Sequence, residues 1–221
     1  MNKIFFPPLS PLFVLLILFL PLMIGFFIVN VVNTAFIKLG FSPMFAFSIL
    51  FLSLIGSMVN IPIKESYREV RVDYIEDFFF RSIYPRTTVE KTVIAINLGG
   101  AVIPILVSVF LILKTDVPIW KLLIGIIVVT LVCHKFARVV PGLGISIPLF
   151  IPPLVSAIVA ILLSRTYAPV IAYVSGVLGV LIGADLLNLN KIENLGAVAS
   201  IGGAGTFDGI FLTGIISVLL V

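Results

Sequence analysis

The chain has 221 residues, of which 61% are hydrophobic and only 11% charged, with a formal net charge of +4. A mean hydropathy of +1.30 lies far outside the balance of a soluble domain, so the composition excludes a water-exposed globular class and indicates an integral membrane protein. The bases stand at the ends of apolar runs, where they meet lipid headgroups, so the positive charge argues for a bilayer and against a nucleic-acid partner.

Lys3 and the Pro7-Pro8 break precede an apolar run from about Pro11 to Phe36. This run exceeds the apolar core of a signal peptide and lacks a small-residue cleavage motif, so it is expected to be a retained first span, kinked at Pro21, with Asn30 and Asn33 on one inward face. A turn from Lys38 to Pro43 leads to a second span from about Met44 to Ile61, where Ser53, Ser57 and Asn60 fall at i, i+4 and i+7. Such a polar stripe serves either interhelical hydrogen bonds or a cavity wall. Residues 62–91 form a polar cytoplasmic loop within what is otherwise a single membrane domain spanning 1–221. Inside the loop Glu69 to Tyr74 alternates as a strand would, while Phe78, Phe79, Phe80 and Tyr84 suit the membrane interface, as in a short hairpin or interfacial helix.

The third span is placed from about Thr92 to Leu113, weakened by Asn97, Gly99, Gly100 and Pro104. A fourth from about Pro118 to Cys133 ends in His134, Lys135 and Arg138. With Cys133 and His134 the sole residues of their types, neither an internal disulfide nor a Cys/His metal cluster can form, and no cofactor motif is present. Pro141 to Pro148, followed by Pro152-Pro153, is too rich in proline and glycine for a straight helix, so the segment 141–153 is either re-entrant or a loop lying on the membrane. Further spans follow from about Leu154 to Leu163, Ala168 to Leu189, and Gly196 to the terminus, giving an all-α polytopic bundle of about seven spans. On the sixth, Gly176, Gly179 and Gly183 form a small-residue stripe for close packing, with Asp185 opposite it and Asn188 beside the acid. Asn97-Leu-Gly-Gly-Ala101 also aligns with Ser200-Ile-Gly-Gly-Ala204, a match too short to establish duplication.

Seven spans divide the bases unevenly. One side collects Lys3, the six bases between 64 and 91, Lys135, Arg138 and Lys191, ten in all, against Lys38, Lys114, Lys121 and Arg165 on the other. By the positive-inside rule the N-terminus is cytoplasmic and Val221 lies on the far side of the cell membrane. That topology gathers Asn60, Asn97, Asp185 and Asn188 near the cytoplasmic ends of their spans, as around a polar cavity.

Acids inside apolar spans are costly and mark functional sites by default, which singles out Asp185 and Asp208. Gly183-Ala-Asp-Leu-Leu-Asn188, Ile201-Gly-Gly-Ala-Gly-Thr-Phe-Asp-Gly209 and Ala95-Ile-Asn-Leu-Gly-Gly-Ala-Val-Ile-Pro104 together resemble a family of archaeal and bacterial multi-pass membrane proteins of unknown function. The arrangement of the two acids is also similar to that of intramembrane aspartyl proteases of the presenilin and signal-peptide-peptidase type. The chain departs from them, since Thr206 and Phe207 separate Gly203-Ala-Gly205 from Asp208, no Tyr-Asp precedes the first acid, and no later span carries Pro-Ala-Leu. Three functions are therefore open. As a proton- or cation-coupled carrier, the protein would bind an ion and a small solute at Asp185 and Asp208, with Asn60, Asn97, Asn188, Gly203, Gly205 and Thr206 along the pathway, and would enclose that pathway as a homodimer. As a protease, it would use the two aspartates to cut a membrane-spanning peptide. As a scaffold, its acids would only tie helices together.

Overall fold

The computed structural model describes residues 11–75, 83–140, 144–192, 198–203 and 209–221. Helices α1 (Pro11–Lys38) and α2 (Pro43–Gly56) are joined by a turn in which Gly40 takes φ +84° and the Ser42 hydroxyl accepts from Phe45 N to cap α2. Two long strands follow, β1 (Asn60–Ile75) and β2 (Ile83–Asn97), paired antiparallel from Asn60↔Asn97 to Ile75↔Ile83 with a bulge between Pro62 and Lys64. A π-helical turn, Leu98–Val102, leads into α3 (Ile103–Lys114), and a short connection into α4 (Ile119–Phe136). The strands β3 (Arg138–Val140) and β4 (Gly144–Ser146) pair antiparallel, ahead of α5 (Ile151–Leu163) and α6 (Ala168–Val180). Beyond α6 the chain winds as a π turn (Leu181–Asp185), a 3-10 turn (Leu186–Asn188) and α7 (Leu189–Ile192). It closes with β5 (Val198–Ile201), parallel to β2 over Val93–Ile96, and α8 (Gly209–Leu219).

Helix α6 is the centre, buried along its length except at Pro169 and Leu178. Small side chains let its neighbours approach. A Cβ on Gly125 of α4 would meet Ser175 Cβ at 3.0 Å, one on Gly179 would meet Val129 Cβ at 2.6 Å, and one on Gly214 of α8 would meet the Tyr173 ring at 2.9 Å. The buried Ser108, Ser156, Ser175 and Ser217 spend their hydroxyls on their own helices, as Ser175 does on Ile171 O at 2.6 Å and Ser156 on Pro152 O at 2.8 Å. The outer surface is apolar instead. Over its first two thirds α1 exposes Leu22, Met23, Phe26 and Phe27, as a helix does when its solvent is hydrocarbon.

Contacts fix the sense of the helices. Lys38 Nζ at the end of α1 donates to the carbonyls of Val218 (3.5 Å) and Leu219 (3.4 Å) at the end of α8. Gly183, beyond the end of α6, lies against Thr130 and Cys133 at the end of α4. The π turn before α3 packs on the end of α2, and Gly202 after β5 packs on Ala101. One end of the bundle thus holds the strands and the other holds the turns at 39–42, 115–118 and 164–167.

Several expectations are corrected. The chain is mainly helical but not all-α, because the short hairpin expected as one form of the 62–91 segment extends over residues 60–97 and takes in the start of the expected third span. Asn60 lies in β1, so it shares no helix stripe with Ser53 and Ser57. The expected third span gives its first six residues to β2, and Asn97 caps the π turn through a bond from Gly100 N at 2.8 Å. Pro152 and Pro153 do not break a helix; they begin α5, where proline lacks only a donor that a helix start leaves unpaired anyway. Among the described residues three helical stretches are long and apolar enough to cross a membrane, Ile17–Lys38, Ile119–Phe136 and Ala168–Lys191, alongside four shorter apolar helices.

Candidate functional site

The end of the central helix is unusual in its winding. A π turn followed directly by a 3-10 turn shifts backbone acceptors out of the regular ladder, and such bulges recur at functional sites. Asn188 answers that disturbance. Its Nδ2 donates to Gly183 O at 3.1 Å and Ala184 O at 2.8 Å, while Lys191 Nζ donates to its Oδ1 at 2.8 Å and His134 Nδ1 on α4 lies 3.4 Å from Nδ2. Asn188 is 2% exposed, so the spacing Gly183-Ala-Asp-Leu-Leu-Asn188 builds a staple that holds the π turn beside α4.

The opposite side of the same turn carries the acid. Asp185 lines a cavity of about 270 Å³ together with Ser146 of β4, Pro152 of α5, Val180, and Gly209 and Thr213 of α8. Ile145, Ile147, Pro148, Leu149 and Ala184 complete a wall that is largely apolar, and among the described residues its polar side chains are Asp185, Ser146 and Thr213. Gly179 and Gly183 face α4, which leaves Asp185 on the side of α5 and α8. Gly209 directly follows Asp208 in sequence; Asp208, Thr206 and Gly205 lie outside the described residues.

The other singled-out residues form a separate cluster. Asn97 Nδ2 donates to Ser57 O at 2.7 Å and to Asn60 Oδ1 at 3.0 Å, and Ser200 Oγ donates to that same Asn60 oxygen at 2.5 Å. Gly203 closes the group, its N–H donating to Ser200 O at 3.2 Å and its α-carbon so near Ser200 Oγ and Asn97 that a side chain has no room. Asn60, Asn97 and Gly203 therefore tie α2, the three-stranded sheet and the π turn before α3 together, and neither asparagine lines the cavity. Among the described residues no three His, Cys, Asp or Glu side chains could hold a metal ion together. Sequence reasoning missed Ser146 and Thr213; both sit among the glycines and prolines that bracket the cavity, which is the signal available in the chain.

A family described as "Protein of unknown function (DUF1614)" matches residues 54–220. The chain belongs to this family. The match takes in the sheet, both π turns and every described residue of the cavity wall, whereas the largely exposed α1 falls outside it. No curated protein and no solved structure matches the chain.

Proposed function

We propose that this DUF1614 protein is a membrane carrier that binds a proton or a small monovalent cation at Asp185, and with it a small solute, in a cavity opening toward the cytoplasm. In this reading seven helices cross the bilayer and the strand end is cytoplasmic, because ten of the fourteen bases belong to that side. The observation that carries the proposal is Asp185 at the π-wound end of the buried central helix, lining a cavity with Ser146 and Thr213. A carboxylate with hydroxyl oxygens near it is a hard-oxygen set suited to Na⁺ or a proton, and interrupted helices place such sets where carriers bind their ions. Gly209 on the cavity wall supports a contribution from Asp208 as well. A volume of about 270 Å³ suits a small solute better than a length of peptide, which favours carriage over cleavage.

The test uses purified protein in sealed vesicles, with ²²Na⁺ uptake and dissipation of an imposed pH gradient as readouts. The native protein should raise one of these rates above that of empty vesicles, and Asp185→Asn should remove the rise without loss of folding. Native rates equal to those of empty vesicles refute the carrier reading; Asp-dependent cleavage of a membrane-spanning peptide would replace it with hydrolysis.

A further inference from the structure

The helix that leads into the sheet is too short for a bilayer. Helix α2 has 14 residues, which at 1.5 Å per residue span about 21 Å against a hydrocarbon core of about 30 Å. Helix α4 is longer, its 18 residues covering about 27 Å, with Trp120 and Lys121 in its first turn and His134 and Lys135 in its last. Trp120 is exposed with the Lys121 ammonium 5.5 Å from its ring centroid, and Lys114 caps Phe110 and Phe41 in the same way at 5.4 and 5.7 Å, as side chains do at a headgroup boundary. On α2 the hydrocarbon then runs about 9 Å past the last helical residue, or about three residues of strand.

The surface beyond α2 has the matching character. Met58, Val59, Ile61 and Ile63 are exposed, Met58 by 85% and Ile63 by 60%, and no charge occurs before Lys64. On the paired strand Val93 to Ile96 are apolar, and the first charge outward is Lys91, opposite Tyr67. There Tyr67 Oη donates to Glu65 at 2.7 Å, Lys91 Nζ lies 2.7 Å from Glu65, and the ammonium stands 5.8 Å from the Tyr67 ring centroid. β1 therefore changes from apolar to charged at Lys64, opposite Ile94, and β2 at Lys91, opposite Tyr67, so the two changes fall within three residues of each other. Leu186 and Leu187, in the 3-10 turn, the nearer four residues before Lys191, continue the exposed apolar surface beyond the central helix.

Backbone chemistry agrees. Strand edges are excluded from lipid by their unpaired N–H groups, yet Met58 N donates to Ile55 O, Val59 N to Gly56 O, Leu98 N to Val59 O, and Pro62 has no N–H at all. The β1–β2 ladder pairs the inner edge of β1, and the parallel β5 pairs the far edge of β2 over Val93–Ile96.

We infer that the base of the β-hairpin, Met58 to Ile63, is immersed in lipid acyl chains, so that the hydrocarbon boundary crosses β1 between Ile63 and Tyr67 and strand, not helix, completes that span. The inference rests on the bundle crossing a membrane and is independent of what the cavity carries. Nitroxide labels at Val59→Cys, Ile61→Cys, Ile63→Cys, Tyr67→Cys and Arg71→Cys, in a Cys133→Ala background reconstituted in vesicles, would be read for relaxation by oxygen and by a water-soluble nickel chelate. At 59, 61 and 63 oxygen should dominate, with a reversal by 71. Nickel relaxation at 61 and 63 equal to that at 71 overturns the inference, as does protection there from both reagents, which would mean that protein covers the surface. The unsubstituted chain gives a second measurement through photolabelling by diazirine-bearing acyl chains. Adducts on 58–63 as well as on α1 support the inference; adducts on α1 alone overturn it, and none on α1 overturn the membrane-spanning reading itself.

Discussion

Gly56 at the end of α2 and Gly99 in the π turn before α3 stand in close backbone contact, and adding one methyl group there tests the packing argument severely. A Cβ on Gly99 would fall on Ser53 O and Ser57 N and would stand 2.8 Å from Gly56 C, all of them main-chain atoms that no rotamer change can move aside. Restoring ordinary carbon contact requires about 1 Å of separation between α2 and the π turn. Overpacking of that kind costs about 1–3 kcal/mol. The same displacement strains two bonds that cross the contact, Asn97 Nδ2 to Ser57 O at 2.7 Å and Leu98 N to Val59 O at 3.0 Å, each contributing about 0.5–1.5 kcal/mol. Gly99→Ala should therefore destabilise the protein by about 2–4 kcal/mol in reversible unfolding by SDS titration from mixed micelles. Gly25→Ala on α1 is the control: nothing lies within 4 Å of its Cβ, so helix propensity alone should stabilise by about 0.5–1 kcal/mol. If Gly99→Ala matches the native chain to within about 0.5 kcal/mol, the spread of substitutions that meet nothing, the reasoning fails.

Ser53 is 2% exposed and its hydroxyl has no hydrogen-bond partner among the described residues, so Ser53→Ala should stabilise by about 1 kcal/mol in the same titration, and a loss of stability would show that the hydroxyl is used. Asn97→Ala removes the donor to Ser57 O and Asn60 and the acceptor for Gly100 N from a site 1% exposed, so it should cost about 2–4 kcal/mol; a loss under about 1 kcal/mol would separate the cluster from stability. At the hairpin, the bond to Lys91 and then that to Tyr67 hold the Glu65 carboxyl below its ordinary 4.5, and the bond to Glu65 raises Lys91 above its ordinary 10.5. Glu65 thus adds stability above pH 4.5 that is lost as pH falls through its lowered value, and Lys91 adds stability below 10.5 that is lost as pH rises through its raised value. Amide protection of 64–67 and 91–94, corrected for intrinsic exchange, should be flat between those limits and small in amplitude for so exposed a pair, and should lose its acid limb in Glu65→Gln.

The helices that carried their own evidence in sequence are α4 and the stretch from α6 to α7, where long apolar runs leave no shorter element to choose. The strands entering the sheet were harder to see. Val93-Ile-Ala-Ile96 is a short apolar run without alternation, and period alone does not separate such a run from helix. Glu69 to Tyr74, which alternates, did read as strand. Gly99-Gly100 was legible as a weak point in a helix, but its actual role is the start of one, set by a backbone contact with α2 that no local rule encodes. For the candidate site, Asp185 stood out because an acid in an apolar run is rare. Asn188 stood out beside it, yet its amide is spent on the π turn, and whether a carboxamide faces a cavity or its own backbone depends on winding that the residue pattern does not show.

The short match between Asn97-Leu-Gly-Gly and Ser200-Ile-Gly-Gly acquires a physical meaning from the sheet. Both segments end strands that run parallel, both pass through paired glycines, and α3 and α8 follow them. The ladder pairs Ala95 with Ser200, whereas the sequence match pairs Asn97 with Ser200, so the two units are offset by two residues, and the glycines do different work. Gly99 admits the backbone of α2; Gly202, at φ +72°, turns the chain against Ala101. What the two share is a requirement: a strand that must end inside a crowded bundle needs residues without side chains before the helix can begin. That requirement also locates the cavity, because β5 held against β2 brings the start of α8, with Gly209 and Thr213, to the π-wound end of α6 and thus to Asp185. A change that frees β5 from β2 should therefore open the cavity wall at α8 without touching Asp185, which makes the sheet the device that sets the distance between the central helix and the last one.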